Sequence, residues 1–368
     1  MKNELIIATG LLVLACEIMA QQEDEIEIRH STNAVFMIGD SAIPAGETYR
    51  GELLVPSGDD GVESFIPITV HHGTEGGPVL AMIAGIHGSE YAPILAMQKL
   101  ALLIDPSELR GTLIIVHIAN MPAFSGRTIY MGPNDLKNLN RSFPGDINGT
   151  ITDRIAYTLR NEVMTRADYL VDIHSGDANE SLRPSYSAYY GEAGGKEVVE
   201  QSRRLAASFG LGTIVRFAGS YDSEEEAIYT SAQAVTLGIP AIDIESGELG
   251  NADDKYVDPI TNGTLSIMRD LDMIPGEPAP AENPLVISDR SRIYSGHDGI
   301  FYADPKVETG DYVTAGTRLG IITDYHGNQL EIIRAPASGV LLILFGTPPV
   351  NTGDNIVVIG RTPESTAD

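Results

Sequence analysis

Cysteine and basic residues are scarce in this chain of 368 residues. Cys16 is the only cysteine and lies near the N-terminus, so removal of that segment would leave no disulfide and no thiolate chemistry. Lysine and arginine number 24 against 51 aspartates and glutamates, which gives a formal net charge of −27. A chain this acidic repels phosphate backbones and anionic membrane surfaces, so nucleic-acid binding is disfavoured. The excess of acidic residues is better explained by solubility than by recognition of a cationic partner.

A long hydrophobic run is also missing from the N-terminus. The apolar stretch from Leu5 to Ala15 is too short to span a bilayer comfortably, and polar "QQEDE" follows it. Residues 1–20 are therefore predicted to be a secretory signal peptide that is cleaved after Ala20, leaving no transmembrane helix in the mature chain. "VLAC" resembles a degenerate lipobox, so a lipid anchor at Cys16 stays open beside plain export, as does the reading of Cys16 as an ordinary apolar residue. We expect an exported protein, periplasmic or extracellular.

The apolar content is that of an ordinary globular protein, and the chain is long enough for two domains. Apolar runs that predict buried strands alternate with amphipathic stretches that predict helices. The order predicts a mainly parallel or mixed α/β sheet with helices on both faces, in a catalytic domain over 21–274 that begins with short strands. The predicted strands cover 78–84, 111–120, 167–176, 212–217 and 239–247, and the predicted helices cover 91–105, 152–164, 195–210 and 224–238.

The pattern changes after the proline-dense segment 275–284, which is predicted to be a linker. Residues 285–363 contain short strands separated by glycine turns, which predicts a small all-β barrel, and residues 364–368 form a tail. "VETGDYVTAGTRLG" and "APASGVL" follow one another in this segment, which resembles biotinyl/lipoyl carrier domains in this respect. Its hairpin "TDYHGNQLEI" lacks the lysine that carries their cofactor, so it is predicted to cover the catalytic domain or to form a homo-oligomer.

Candidate metal ligands follow two of the predicted strands. His87 and Glu90 are three residues apart just after the first strand, at the sheet edge where ligands bind in α/β proteins. This spacing alone arises often by chance. His174 ends another strand and completes two histidines and one carboxylate, the set with which zinc hydrolases leave a position open for water.

A metal-activated water also needs a base to accept its proton. Asp243 and Glu245 alternate along "AIDIESG" and therefore share one face of a third strand. Glu245 is nearest the carboxyl end of that strand, and we prefer it over Asp243 and over the more distant Glu248.

Positive charge is concentrated in the Gly/Pro-rich segment that follows the second strand. Arg127 is a candidate to stabilise the developing oxyanion. Arg141 lies beside Asn140, a pair suited to bidentate recognition of a carboxylate. Ion pairing of these arginines with neighbouring acids is the alternative.

The motifs "GIHGSE", "NLNRSFPG", "DIHSG" and "IESG" occur in that order. Together they resemble the succinylglutamate desuccinylase/aspartoacylase family, relatives of the zinc carboxypeptidases, over about Phe36 to Pro363. Asp177 departs from the family pattern, because many relatives have glycine there. The resemblance implies one zinc ion at His87, Glu90 and His174, with Glu245 as general base, Arg127 polarising the scissile carbonyl, and Asn140 with Arg141 gripping the substrate carboxylate.

We therefore expect a zinc-dependent deacylase that hydrolyses the amide bond of an N-acyl amino acid. An exported zinc exopeptidase acting on peptides or cell-wall fragments is the main alternative, and a non-catalytic binding lipoprotein is a third. "GDS" at Ser41 and "GPND" at Asn134 also occur in SGNH serine esterases. Those enzymes need an Asp-x-x-His, and no histidine here has aspartate three residues earlier.

Overall fold

The computed structural model describes residues 35–362. The predicted signal peptide with Cys16 and the tail 364–368 lie outside these residues. No helix within the described range is long and apolar enough to cross a membrane.

The described chain contains twenty strands and six α-helices. The strands are β1 (Phe36–Ile38), β2 (Ser41–Ile43), β3 (Glu47–Leu54), β4 (Phe65–His72), β5 (Glu75–Ala84), β6 (Arg110–Val116), β7 (Tyr169–His174), β8 (Glu180–Leu182), β9 (Tyr186–Tyr190), β10 (Thr213–Phe217), β11 (Ala241–Glu245), β12 (Leu285–Ile287), β13 (Asp289–Tyr294), β14 (Gly299–Ala303), β15 (Tyr312–Val313), β16 (Arg318–Thr323), β17 (Gln329–Arg334), β18 (Gly339–Phe345), β19 (Pro349–Val350) and β20 (Asn355–Arg361). The helices are α1 (Tyr91–Leu103), α2 (Met121–Gly126), α3 (Ile151–Thr158), α4 (Gly195–Ser208), α5 (Thr230–Thr236) and α6 (Asp254–Asp270).

A large mixed sheet forms the centre of the fold, as the sequence predicts. Its nine strands run in the order β12-β10-β9-β11-β7-β5-β6-β4-β3. Five of the eight neighbouring pairs are parallel, including the consecutive set β11, β7, β5 and β6. The antiparallel pairs are β9 with β11 and the two pairs at the β3 edge. Because β11, β7 and β5 are parallel, their carboxyl ends meet at one edge of the sheet.

Both faces of this sheet are covered, which explains the unbroken apolar run of β5. Leu80 and Met82 point into a cluster with residues of α1, α4 and α6. Ala81 and Ile83 point into the opposite cluster, with residues of α3 and α5. All four side chains are fully buried, and each large one stabilises the fold by about 1.5–3 kcal/mol relative to exposure.

The helix predicted over 224–238 is wrong at its N-terminal end, because α5 begins only at Thr230. The side-chain oxygen of Asn140 accepts hydrogen bonds from the Thr230 N–H at 2.9 Å and from its hydroxyl at 3.0 Å. This cap from a distant loop fixes where the helix starts. Glu224, inside the predicted helix, instead forms an ion pair with Arg160.

The C-terminal part is all-β and comprises two sheets. One contains β13, β20, β18 and β15, with β8 added beside β18, and the other contains β17, β16, β14 and β19. Segment 275–284 has neither helix nor strand. Two strand pairings connect the catalytic part with the C-terminal part. β12 pairs with β10 of the large sheet, and β8 pairs with β18 of a C-terminal sheet. The C-terminal β region is confirmed, whereas its closure into a biotinyl-like barrel stays a prediction.

Candidate active site

The predicted site residues follow three neighbouring strands of the large sheet. β7 lies between β5 and β11 and is parallel to both. The register places Glu245 directly beside His174, and Asp243 beside Asp172. His87 and Glu90 belong to the turn that connects β5 to α1. Strand order and register therefore bring residues far apart in sequence to one edge.

Two glycines allow the turn after β5 to pack closely enough to position His87. Gly85 has φ of +71°, and a Cβ there would lie 2.9 Å from the Cα of Ile118. A Cβ on Gly88 would lie 2.4 Å from the backbone oxygen of Thr128. A side chain at either position would move this turn away from its neighbours.

His87, Glu90 and His174 form a buried cluster. Oε1 of Glu90 is 2.8 Å from Nδ1 of His87, and Oε2 is 3.0 Å from Nδ1 of His174. One ligand atom from each residue lies within 4.8 Å of the other two. Two imidazole nitrogens and one carboxylate oxygen suit a zinc ion that keeps a position open for water. The residues present therefore fit a catalytic metal ion.

The far nitrogen of each histidine has its own partner. Nε2 of His174 lies 3.0 Å from Oδ2 of Asp172, and Nε2 of His87 lies 3.2 Å from Oδ1 of Asn138. The Asn138 contact meets hydrogen-bond geometry, whereas Asp172 faces His174 at ion-pair distance and its carboxylate oxygens have no hydrogen-bond partner among residues 35–362. Both oxygens lie beside Nε2 and leave Nδ1 directed toward Glu90. Asp172 and Asn138 are therefore positioning residues for the two histidines.

The charges within this cluster depend on each other. Burial alone would lower the pKa of His87, but the carboxylates of Glu90 and Asp177 raise it to about 10. Burial alone would raise the pKa of Glu90, but His174 and His87 lower it to about 2. Glu90 therefore remains a carboxylate at neutral pH.

Asp177, where this chain departs from the family motif, lies against the cluster. Its Oδ2 is 3.3 Å from Nδ1 of His87, and its Oδ1 accepts a hydrogen bond from the Ser89 hydroxyl at 2.7 Å. Burial raises the pKa of the Asp177 carboxyl. Asp177 thus places a second carboxyl group, besides that of Glu90, against His87.

Glu245 and Asp243 line the same cavity as the cluster, as their alternation in the sequence predicts. Oε2 of Glu245 is buried and has no hydrogen-bond partner within the described chain. Burial raises the pKa of Glu245 well above its ordinary value. Glu248 is instead occupied outside the cavity lining, accepting hydrogen bonds from Tyr256 at 2.6 Å and Ser181 at 2.7 Å and pairing with Arg183.

Asn140 and Arg141 also line this cavity. The side-chain nitrogen of Asn140 is 3.4 Å from Nε2 of His174, while its oxygen caps α5. The Arg141 guanidinium stacks on Tyr229, 4.3 Å from the ring centroid, and donates a hydrogen bond to the Asn140 backbone oxygen. Arg141 forms no ion pair with any residue in 35–362, so its charge faces the cavity uncompensated by a direct acid partner.

Arg127 is not brought to this site. It ends α2 with a left-handed φ of +54°, is exposed, and is absent from the residues that line the cavity. Its role as a carbonyl-polarising group stays a prediction. Ser41 lies in the β1–β2 hairpin and Asn134 in an exposed loop, and neither lines the cavity.

Sequence reasoning missed an entire wall of the cavity, whose volume is about 300 Å³. Arg290 and Arg292 reach it from β13, and Tyr186 and Tyr190 reach it from β9. The only signal in the sequence was two arginines alternating in a strand-like stretch of a very acidic chain.

The model of the succinylglutamate desuccinylase/aspartoacylase catalytic domain matches residues 76–271, which is more than half of the chain. The chain therefore belongs to this family of hydrolases, which act on acyl–amine bonds.

Individual relatives agree with that assignment. The chain is 29% identical over 311 residues to N-alpha-acetyl-L-2,4-diaminobutyric acid deacetylase of Halomonas elongata, covering 82% of this chain and 87% of the relative. The product-bound structure of the ectoine utilization protein EutE (DoeB) of Ruegeria pomeroyi has a TM-score of 0.77 at 23% identity, over 90% of this chain and 100% of that one. A succinylglutamate desuccinylase/aspartoacylase of Rhodobacter sphaeroides has a TM-score of 0.76 at 23% identity, with the same coverage. At this identity the two structures show the fold.

Proposed function

We propose that the protein is a zinc-dependent deacylase that hydrolyses the amide bond of an N-acyl amino acid. The observation that carries the proposal is the convergence of His87, Glu90, His174 and Glu245 at one sheet edge, inside one cavity. Membership of a deacylase family supports the reaction type.

His87, Glu90 and His174 would hold the zinc ion. When bound, zinc supplies a Lewis acid that acidifies a water and polarises the acyl carbonyl. Asp172 and Asn138 hold the two imidazole rings from behind, at 3.0 and 3.2 Å. The chain's own contribution here is a rigid, buried set of ligands.

Glu245 would accept the proton from the attacking water and return it to the leaving amine. A carboxyl group whose pKa is raised by burial is suited to both transfers near neutral pH, because it is a stronger base than an exposed glutamate. Its free Oε2 supports this role, since no protein group competes for the proton.

Arg141 would bind the substrate carboxylate. Its stacking on Tyr229 restricts the side chain, and a planar guanidinium can donate two parallel hydrogen bonds to a carboxylate.

The products of the proposed reaction are a carboxylate from the acyl group and a free amino acid.

The test is a substrate screen on the zinc-loaded protein. N-acetyl amino acids come first, because the relative from Halomonas elongata is named for deacetylation of such a compound. Release of free amino acid supports the proposal. Cleavage of peptides without cleavage of any N-acyl amino acid would instead favour the exopeptidase.

We also propose export, which rests on the sequence of residues 1–20 alone. Expression of the full chain in a bacterium followed by fractionation tests it. A processed protein in the periplasm or medium supports export, and metabolic labelling by a fatty acid that requires Cys16 would identify the lipoprotein form. An unprocessed cytoplasmic protein would contradict both.

A further inference from the structure

Two histidines outside the catalytic cavity share one face of the large sheet with an arginine. His71 of β4 lies opposite Thr48 of β3, and Thr69 of β4 lies opposite Arg50 of β3. Residues directly opposite each other in an antiparallel pair point to the same face, and so do alternate residues of one strand. His117 follows β6 on this face, because its Nε2 lies 2.8 Å from Oγ1 of Thr69. The strand register therefore brings Arg50, His71 and His117 together.

This face packs against the C-terminal end of α1. Leu113, which lies opposite His71 in β6, belongs to the same apolar cluster as Leu100 and Ala101 of α1. The Arg50 guanidinium donates a hydrogen bond to the backbone oxygen of Ala101 at 3.4 Å. β3 is the edge strand of the large sheet, so these contacts join that edge to α1.

Each of the two histidines has one nitrogen without a partner. Nδ1 of His71 lies 2.9 Å from Oγ1 of Thr48, as Nε2 of His117 does from Thr69. Nε2 of His71 and Nδ1 of His117 are buried and have no hydrogen-bond partner among residues 35–362. A protonated imidazole carries an N–H group at both nitrogens. Protonation would therefore leave a buried donor of a charged group unsatisfied on each ring.

Acidic side chains do not compensate such a charge within the described chain. The groups that act on His71 and His117 are Arg50, the other histidine and the backbone of Ala101, and none of them is acidic. Glu52 is on the same face of β3 but is exposed. Lys99, the only charged side chain of α1, pairs with Asp258. Protonation would thus add positive charge beside the Arg50 guanidinium.

The titration of both rings reflects these surroundings. Burial and the charge of Arg50 lower the pKa of His71 from 6.5 to about 4, although the Ala101 backbone oxygen opposes this shift. Burial and Arg50 also lower the pKa of His117. The unfolded chain therefore takes up these protons first as the pH falls. The folded state has its full stability above about pH 6.5 and loses stability from there down to about pH 4.

We propose that Arg50, His71 and His117 form an acid-sensitive cluster that releases β3 from α1 when the two histidines become protonated. β3 pairs with a single strand of the large sheet, β4, so its separation breaks one strand ladder and leaves the other pairs of the sheet intact. None of the three residues lines the catalytic cavity, so the inference does not depend on the proposed deacylase function.

Hydrogen exchange at about pH 7.5 and about pH 5, corrected for the intrinsic exchange rate, locates the opening. Peptides that cover β3 and the C-terminal half of α1 should lose protection at the lower pH in the wild type and keep it in His71→Gln. Any loss of bound metal at low pH affects both proteins alike, so the difference between them reports on the cluster. Equal protection of these peptides at both pH values in the wild type, or the same loss in His71→Gln, would overturn the inference.

Urea unfolding at the same two pH values measures the size of the effect. Between them, the unfolding constant of the wild type should rise about 30-fold more than that of His71→Gln, as follows from a pKa of 6.5 in the unfolded chain and about 4 in the folded one. Arg50→Gln changes an exposed side chain and should also reduce the rise, because it removes the charge beside His71.

His326→Gln is the matched control, since His326 is exposed in the hairpin between β16 and β17. It should show the same rise as the wild type. A rise in His71→Gln and Arg50→Gln as large as that of the wild type would show that acid sensitivity arises elsewhere in the protein.

Discussion

Replacing Glu245 by glutamine tests the proposed base with almost no change in shape. The substitution removes the proton acceptor and leaves the three proposed ligands intact, since Glu245 lies outside the His87, Glu90 and His174 cluster. A general base contributes about 10²- to 10⁴-fold, so we expect kcat to fall by that factor, or about 3–5 kcal/mol in activation free energy. Metal content should be unchanged.

In the metal-free form, the same variant should also be at least as stable as the wild type. Burial raises the pKa of Glu245 in the folded protein. Ionised Glu245 therefore destabilises the folded state at pH values above the pKa that this side chain has in the unfolded chain. A neutral amide of the same size avoids that cost. The assay combines amino-acid release, metal content by mass spectrometry and thermal unfolding.

Glu248→Gln is the matched control, three residues further along the chain. Glu248 accepts hydrogen bonds from Tyr256 and Ser181 and pairs with Arg183, outside the cavity lining. Its substitution should cost about 1.5–3 kcal/mol of stability for each strong charged hydrogen bond lost, with little effect on kcat. Full hydrolytic activity in Glu245→Gln, or loss of activity in Glu248→Gln alone, would refute the assignment of the base.

Contacts around the site and in the core can be tested by three further substitutions. Asp172→Asn weakens the hold on His174 Nε2 and should lower zinc affinity about 10- to 100-fold, measured by competition with a chelator; unchanged affinity would exclude this positioning role. Arg154 is fully buried and donates hydrogen bonds to Asp60 and to the backbone oxygens of Pro56, Val62 and Gly149. Arg154→Met should therefore lower the free energy of unfolding in urea by about 3–5 kcal/mol. A decrease below about 1 kcal/mol would contradict this prediction. The hydrogen bond from Arg154 lowers the pKa of Asp60, so this pair stabilises the fold fully above about pH 4 and loses its effect as pH falls through the lowered pKa. Asp60→Asn should remove that part of the loss of stability in acid. An unfolding free energy with the same pH dependence in wild type and variant would argue against it.

The sequence predicted those parts of the site that depend on strand ends. His174 and Glu245 terminate apolar runs, and apolar runs of that kind form buried strands in both cases. Parallel neighbours then place their carboxyl ends together, which follows from sheet geometry without detailed knowledge of packing. The need for Gly85 and Gly88 is not local in this way, because a Cβ at either position would meet Ile118 or Thr128 from other segments of the chain.

The remainder of the site depends on contacts between distant segments. Arg290 reaches the cavity only because β12 joins the large sheet and β8 joins a C-terminal sheet, pairings that local patterns do not specify. The start of α5 depends likewise on Asn140, a residue 90 positions earlier in the chain. Arg127 is a predicted site residue that these contacts do not bring to the site. It is near Asn140 and Arg141 in sequence, but it ends α2 and is absent from the cavity lining.

We propose that one zinc ion at His87, Glu90 and His174 makes this chain a deacylase. Titration of the metal-free protein with zinc tests this, while hydrolysis of a responsive N-acyl amino acid is followed. Activity should rise in proportion to added zinc and level off at about one equivalent per chain, the stoichiometry of a single three-ligand catalytic site. His174→Ala should show no such rise. Full hydrolysis by the metal-free protein, or a zinc response that survives in His174→Ala, would show that these three residues do not hold a catalytic zinc ion.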